Sequence, residues 1–108
     1  MQQFICELAA IPDKSGREFE VNGVMFVVVR MGETAFAYRN YCPHRGTPLN
    51  WMPDQFMDYD RQYIQCATHG ALFDPASGKC LAGPCAGDYL DGLVLNVTEG
   101  KVFLVQEA

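Results

Sequence analysis

Two short segments constrain this chain more than anything else in it: Cys42-Pro43-His44 and Cys66-Ala67-Thr68-His69, with 21 residues between His44 and Cys66. They hold both histidines and two of the five cysteines. Two thiolates and two imidazoles on two short loops form a metal-binding donor set, so any fold for this chain has to bring the loops together. A zinc finger usually places a C-x(2–4)-C pair in one half and an H-x(3–5)-H pair in the other. Here each segment supplies one Cys and one His, the arrangement needed when two adjacent irons of one iron–sulfur cluster are each bound by both loops. A tetrahedral zinc, or a structural site that holds no metal, is the alternative for the same four residues. A restraint of this kind suits a chain of 108 residues, which buries only about 60–70% of its unfolded surface.

The rest of the sequence reads as a β framework around these loops. β-Branched and aromatic residues dominate short runs at 4–8, 18–21, 24–30 and 34–39, with nothing helical among them. Asn22-Gly23 and Glu99-Gly100 are tight hairpin signals, the second joining runs at 93–98 and 101–104. The two ends of the chain are therefore expected to form one antiparallel β unit. Between about 41 and 87 the strands shorten, Pro and Gly rise, and four of the five cysteines appear with both histidines. The expected organisation is a single domain over 1–108, with this segment nested in it as a ligand-binding subdomain.

Composition narrows the partners. Eight Lys and Arg against thirteen Asp and Glu leave a net charge of −5, and a pI near 4.8 disfavours nucleic acid and anionic membranes. A basic protein partner stays open. No secretory signal or membrane span is legible, and an odd number of cysteines argues against a disulfide scaffold and for a reducing compartment, the cytoplasm.

Cys42-Pro43-His44-Arg45-Gly46 and Cys66-Ala67-Thr68-His69-Gly70 closely resemble the paired motifs of Rieske iron–sulfur proteins. The resemblance extends through Tyr38-Arg39-Asn40-Tyr41, Phe73-Asp74, Ser77-Gly78 and Gly83-Pro84, and so covers almost the whole chain. It implies an all-β fold, a Rieske-like antiparallel β-sandwich with a nested cluster-binding subdomain, and one 2Fe-2S cluster as cofactor. Cys42 and Cys66 would bind the inner iron, and His44 and His69 the outer iron. Gly46 and Gly70 would let backbone approach the sulfides, and Gly83-Pro84 would form a third, covering loop. Replacing two thiolates by neutral imidazoles raises the reduction potential above that of an all-cysteine ferredoxin.

Rieske proteins of quinol-oxidising complexes carry an extra cysteine in each ligand loop and hydroxyl donors near the cluster. This chain has Thr47 and Thr68 at the cysteine positions, and Ala71 and Phe73 where the Ser and Tyr would stand. Without those donors the reduced state is less stabilised, which places the expected potential near about −150 mV, the low end of the Rieske range. A Rieske oxygenase subunit would need further histidines for a mononuclear iron, and both are already used. The resemblance therefore implies a ferredoxin rather than an enzyme, passing single electrons from a flavin- or nicotinamide-dependent reductase to an oxygenase or related redox enzyme. The alternative is a Rieske-like small subunit of a larger reductase, such as a nitrite reductase.

Four further features are weighed at this level. Cys80 and Cys85 can pair locally, approach the ligand loops or stay as buried thiols, and a reducing compartment favours buried or unpaired thiols. Cys6 is expected to be a small core residue. The segment 51–60, which mixes Trp51, Met52, Phe56, Met57 and Tyr59 with Asp54, Asp58 and Asp60, is either packing beneath the loops or an acidic docking surface, with packing favoured. Arg45 is read as holding the first loop or touching a partner, and Pro43 as stiffening it.

Overall fold

Phe26, Val27, Val28 and Val29 are all fully buried, four consecutive residues of one strand. Successive side chains of a strand point to opposite faces, so burial of all four requires cover on both sides of the sheet. The computed structural model, which describes residues 2–21, 23–40, 57, 62–66, 71–83 and 87–105, shows how this is achieved. Its strands are β1 (Gln2–Glu7), β2 (Ser15–Val21), β3 (Val24–Met31), β4 (Thr34–Arg39), β5 (Ile64–Gln65), β6 (Leu72–Phe73), β7 (Cys80–Ala82), β8 (Gly92–Leu93), β9 (Leu95–Thr98) and β10 (Lys101–Val105). They form three antiparallel sheets, ordered β2-β3-β4-β8, β1-β10-β9 and β5-β6-β7.

The four-stranded sheet is the middle layer. On one face Phe26, Val28, Ala35 and Ala37 pack with Leu8, Ile11, Val102 and Leu104, under the sheet made by the two chain ends. On the other face Val27, Val29 and Tyr38 pack with Ile64, Cys66, Ala71, Phe73, Cys80 and Leu90, under the small sheet of the cysteine-rich segment. Each of the large fully buried side chains contributes roughly 1.5–3 kcal/mol. The expected all-β antiparallel sandwich is therefore present, with the third sheet laid on its second face.

Three expectations need correction. The two chain ends do pair, but across two sheets and not one: β1 joins β10 and β9 in the first, whereas β2, β3 and β4 join β8 in the second. The run 93–98 is two strands, because Leu93 pairs with Ala37 of β4 while Leu95 pairs with Leu104 of β10. Val94 is the crossing point, 56% exposed, with its carbonyl accepting the Val105 N–H at 2.9 Å. The first strand ends at Glu7, and Leu8–Ala10 form a 3₁₀ turn that drops Leu8 into the core. The Glu99-Gly100 hairpin is as expected, with both residues at positive φ (52° and 73°) and Thr98 opposite Lys101.

Candidate metal centre

The middle sheet delivers the chain to the first ligand segment. Arg39 closes β4, three residues before Cys42. Its N–H donates to the Asp91 carbonyl at 2.8 Å, and its Nε meets the Asp91 carboxylate at 3.1 Å. That ion pair is half exposed and contributes at most about 1 kcal/mol, so register here comes from the backbone bond. Asn40 adds two anchors: its N–H donates to the Met25 carbonyl at 3.2 Å, and its side-chain amide donates to the Glu18 carboxylate.

The small sheet carries the second segment. Ile64 pairs with Phe73 and Gln65 with Leu72, and the Cys66 N–H donates to the Ala71 carbonyl at 2.9 Å. The loop holding His69 is thus pinned at both ends. Cys66 is fully buried and belongs to the core between the small and middle sheets. Of the four expected ligands it alone lies among the described residues; Cys42, His44 and His69 lie outside them, as do Pro43, Arg45, Gly46, Thr47, Thr68, Gly70, Pro84 and Cys85. Among the described residues, no group of three His, Cys, Asp or Glu side chains comes together.

The residues present fit an iron–sulfur cluster. Two thiolates and two imidazoles are the mixed donor set of a Rieske centre. The observation that supports it structurally is a close approach beside the second loop. Gly83 lies at φ +106°, and a Cβ there would come within 2.8 Å of the Ala71 Cα and 2.9 Å of its Cβ. A third chain segment therefore presses on Ala71, at the end of the Cys66–Ala71 hairpin, where only glycine fits. Phe73 and Ala71 are fully buried, so the side chains just after the second ligand pair are apolar and carry no hydroxyl.

Other expected residues divide cleanly. Cys80 is buried, as expected, and its Sγ lies 3.3 Å from the Ala82 carbonyl. Cys6 is half-buried and packs against the Leu8/Phe26 core, and burial pushes its thiol pKa up. Within 51–60 only Met57 is described; it pairs with Ile64 and packs on the core around Cys66, in line with the packing reading. Asp54, Asp58 and Asp60 lie outside the described residues. The sequence reading did not single out Asp91 and gave Tyr38 no role of its own, yet the structure places both at the junction between the sheets. Asp91 carries no motif, and Tyr38 stood only as part of the Tyr38-Arg39-Asn40-Tyr41 resemblance, with no partner assigned to its hydroxyl.

Comparison with known proteins agrees with this geometry. The ferredoxin of carbazole 1,9a-dioxygenase from Nocardioides aromaticivorans IC177 superposes with a TM-score of 0.81 at 21% identity, over 99% of this chain and 99% of that one. A chain from the complex of reduced oxygenase and oxidized ferredoxin in carbazole 1,9a-dioxygenase gives 0.76 at 23%, over 95% and 91%. The terminal oxygenase of the same system from Novosphingobium sp. KA1 gives 0.78 at 22%, over 97% of this chain and 31% of the oxygenase. At these identities the likeness is one of fold. No curated protein matches. The family model of the Rieske [2Fe-2S] domain matches residues 1–103. With Cys66 buried at the root of a pinned loop and both Cys/His pairs inside the matched span, this chain belongs to the Rieske [2Fe-2S] domain family.

Proposed function

We propose that this chain is a low-potential Rieske ferredoxin, a one-electron carrier that takes electrons from a flavin- or nicotinamide-dependent reductase and delivers them to a terminal oxygenase or related redox enzyme. The observation that carries this reading is the two-way match to a ferredoxin of an oxygenase system, 99% of each chain. The oxygenase of such a system is matched over less than a third of its length. The family implies one Rieske-type 2Fe-2S cluster, and its ligands here are Cys42 and Cys66 for one iron and His44 and His69 for the other. When bound, it supplies reversible uptake of one electron.

The chain's own residues hold and shield that group and do no acid–base or nucleophilic work. Cys66 is withdrawn into the core, while Ala71 and Phe73 surround its hairpin with apolar side chains. The absence of a hydroxyl at these two positions supports a potential near about −150 mV. We read 1–108 as one domain with the ligand-binding subdomain spanning about 41–87, and its working compartment as the cytoplasm. Among the described residues no helix is long and apolar enough to cross a membrane.

The test is turnover. The purified protein, added to an NADH-dependent flavin reductase and a Rieske terminal oxygenase, is expected to be reduced by the first and reoxidised by the second while exchanging freely between them. Isolation only as a tight subunit of a larger reductase, with no exchangeable electron transfer, contradicts the carrier reading.

A further inference from the structure

The two ligand segments leave different sheets, one three residues after β4 and the other directly after β5. Tyr38, the penultimate residue of β4, spans the two. Its hydroxyl donates to the Pro75 carbonyl at 2.6 Å. The side chain is 4% exposed and shares a core with Cys66, Ala71 and Phe73. A Cβ on Gly78 would stand 2.7 Å from its ring and one on Gly92 3.8 Å, so two glycines form the walls of the slot it occupies.

The acceptor is held as firmly as the donor. Pro75 lies in the turn after β6, where the Asp74 carboxylate accepts the Ala76 N–H at 3.2 Å and the Ser77 hydroxyl at 2.9 Å. The Gly78 N–H closes the turn on the Asp74 carbonyl at 2.7 Å, and the Gly78 carbonyl accepts the Leu90 N–H at 2.8 Å. Two residues before Pro75, Phe73 pairs with Ile64 of β5, the strand that ends at Gln65, next to Cys66. Desolvation, with a smaller push from Asp74, raises the Tyr38 phenol to about 12, so it stays a neutral donor at ordinary pH.

A core position of this kind is filled as well by an apolar ring. A buried hydroxyl adds little net stability when paired and costs about 1–3 kcal/mol when not, so what it contributes is a fixed distance and direction. We propose that Tyr38 is a positioning residue for the cluster, its bond to Pro75 setting the separation between the strand that leads to Cys42 and His44 and the hairpin that leads to Cys66 and His69. This inference rests on the proposed ligation. Partners that orient metal ligands typically change metal affinity 10–100-fold when removed; a bond one step further out is expected to act more weakly.

The experiment compares the wild-type protein with Tyr38→Phe, Gly78→Ala and, as a control, Tyr89→Phe at an exposed tyrosine. Iron and acid-labile sulfide are measured first, then electron paramagnetic resonance g-values, midpoint potential, and the rate at which visible absorption bleaches in chelator. Tyr38→Phe keeps the ring and is expected to shift the g-values and release the cluster at least about threefold faster, while Tyr89→Phe matches wild type. Gly78→Ala, which keeps the hydroxyl but crowds the ring, is expected to move the g-values as well. A cluster-bearing Tyr38→Phe protein with wild-type g-values, potential and release rate overturns this inference alone. Wild-type protein without iron and sulfide overturns the ligation and this inference together.

Discussion

Each of the two histidines carries one half of a charge argument. Imidazole is neutral where thiolate is negative, so His44→Cys and His69→Cys each make the site more negative and disfavour the added electron. Each is expected to lower the midpoint potential by on the order of 100 mV, towards the all-cysteine ferredoxins near about −400 mV. An unchanged potential in a redox titration of either variant removes that histidine from the ligand set. Tyr38 makes a prediction about pH. Its folded pKa, about 12, lies above its unfolded value near 10, so the neutral phenol is favoured by folding and its contribution is fully present below pH 10. Stability is therefore expected to fall as pH rises from 10 toward 12, because burial disfavours the phenolate. Denaturant titrations are expected to show a stability difference between wild type and Tyr38→Phe that is constant to pH 10 and shifts in favour of Tyr38→Phe above it. A gap that does not change with pH contradicts the assigned burial of the hydroxyl.

At the scale of elements, the close approach of Gly83 to Ala71 joins β7 to the root of the second ligand loop. Gly83→Ala forces a Cβ against backbone at 2.8 Å and at a φ of +106° that side chains rarely adopt. We expect a loss of about 1–3 kcal/mol in thermal unfolding, with faster cluster loss; a variant as stable as wild type contradicts the contact. The elements were legible where local signals set them. The hairpin at Glu99-Gly100 follows from turn chemistry, and β3 and β4 from β-branched and aromatic runs. What was not legible depended on partners distant in sequence. Nothing local says that Leu93 pairs with Ala37 and Leu95 with Leu104, because the change of sheet at Val94 is decided by which layer offers an open edge. The same holds for Leu8, apolar in a strand-like run, which the fold takes from β1 and turns into the core.

At the scale of the whole molecule, a middle sheet buried on both faces divides the labour. One face is closed by the joined chain ends, which supplies a rigid support. The other carries the cysteine-rich segment, so that Cys66, a ligand in the proposed centre, is part of the same core as Val27 and Val29. The two Cys/His pairs stand out in the sequence because their spacing is chemical, whereas the cross-sheet bond from Tyr38 to Pro75, which spans 37 positions, does not. The central claim is that Cys42, His44, Cys66 and His69 hold one low-potential 2Fe-2S cluster. An anaerobic redox titration followed by visible absorption and electron paramagnetic resonance tests it most directly. The account predicts one reversible electron per chain, a Rieske-type spectrum and a midpoint near about −150 mV; a protein with no redox-active cluster contradicts the assignment, and a clearly positive midpoint contradicts the argument from Ala71 and Phe73.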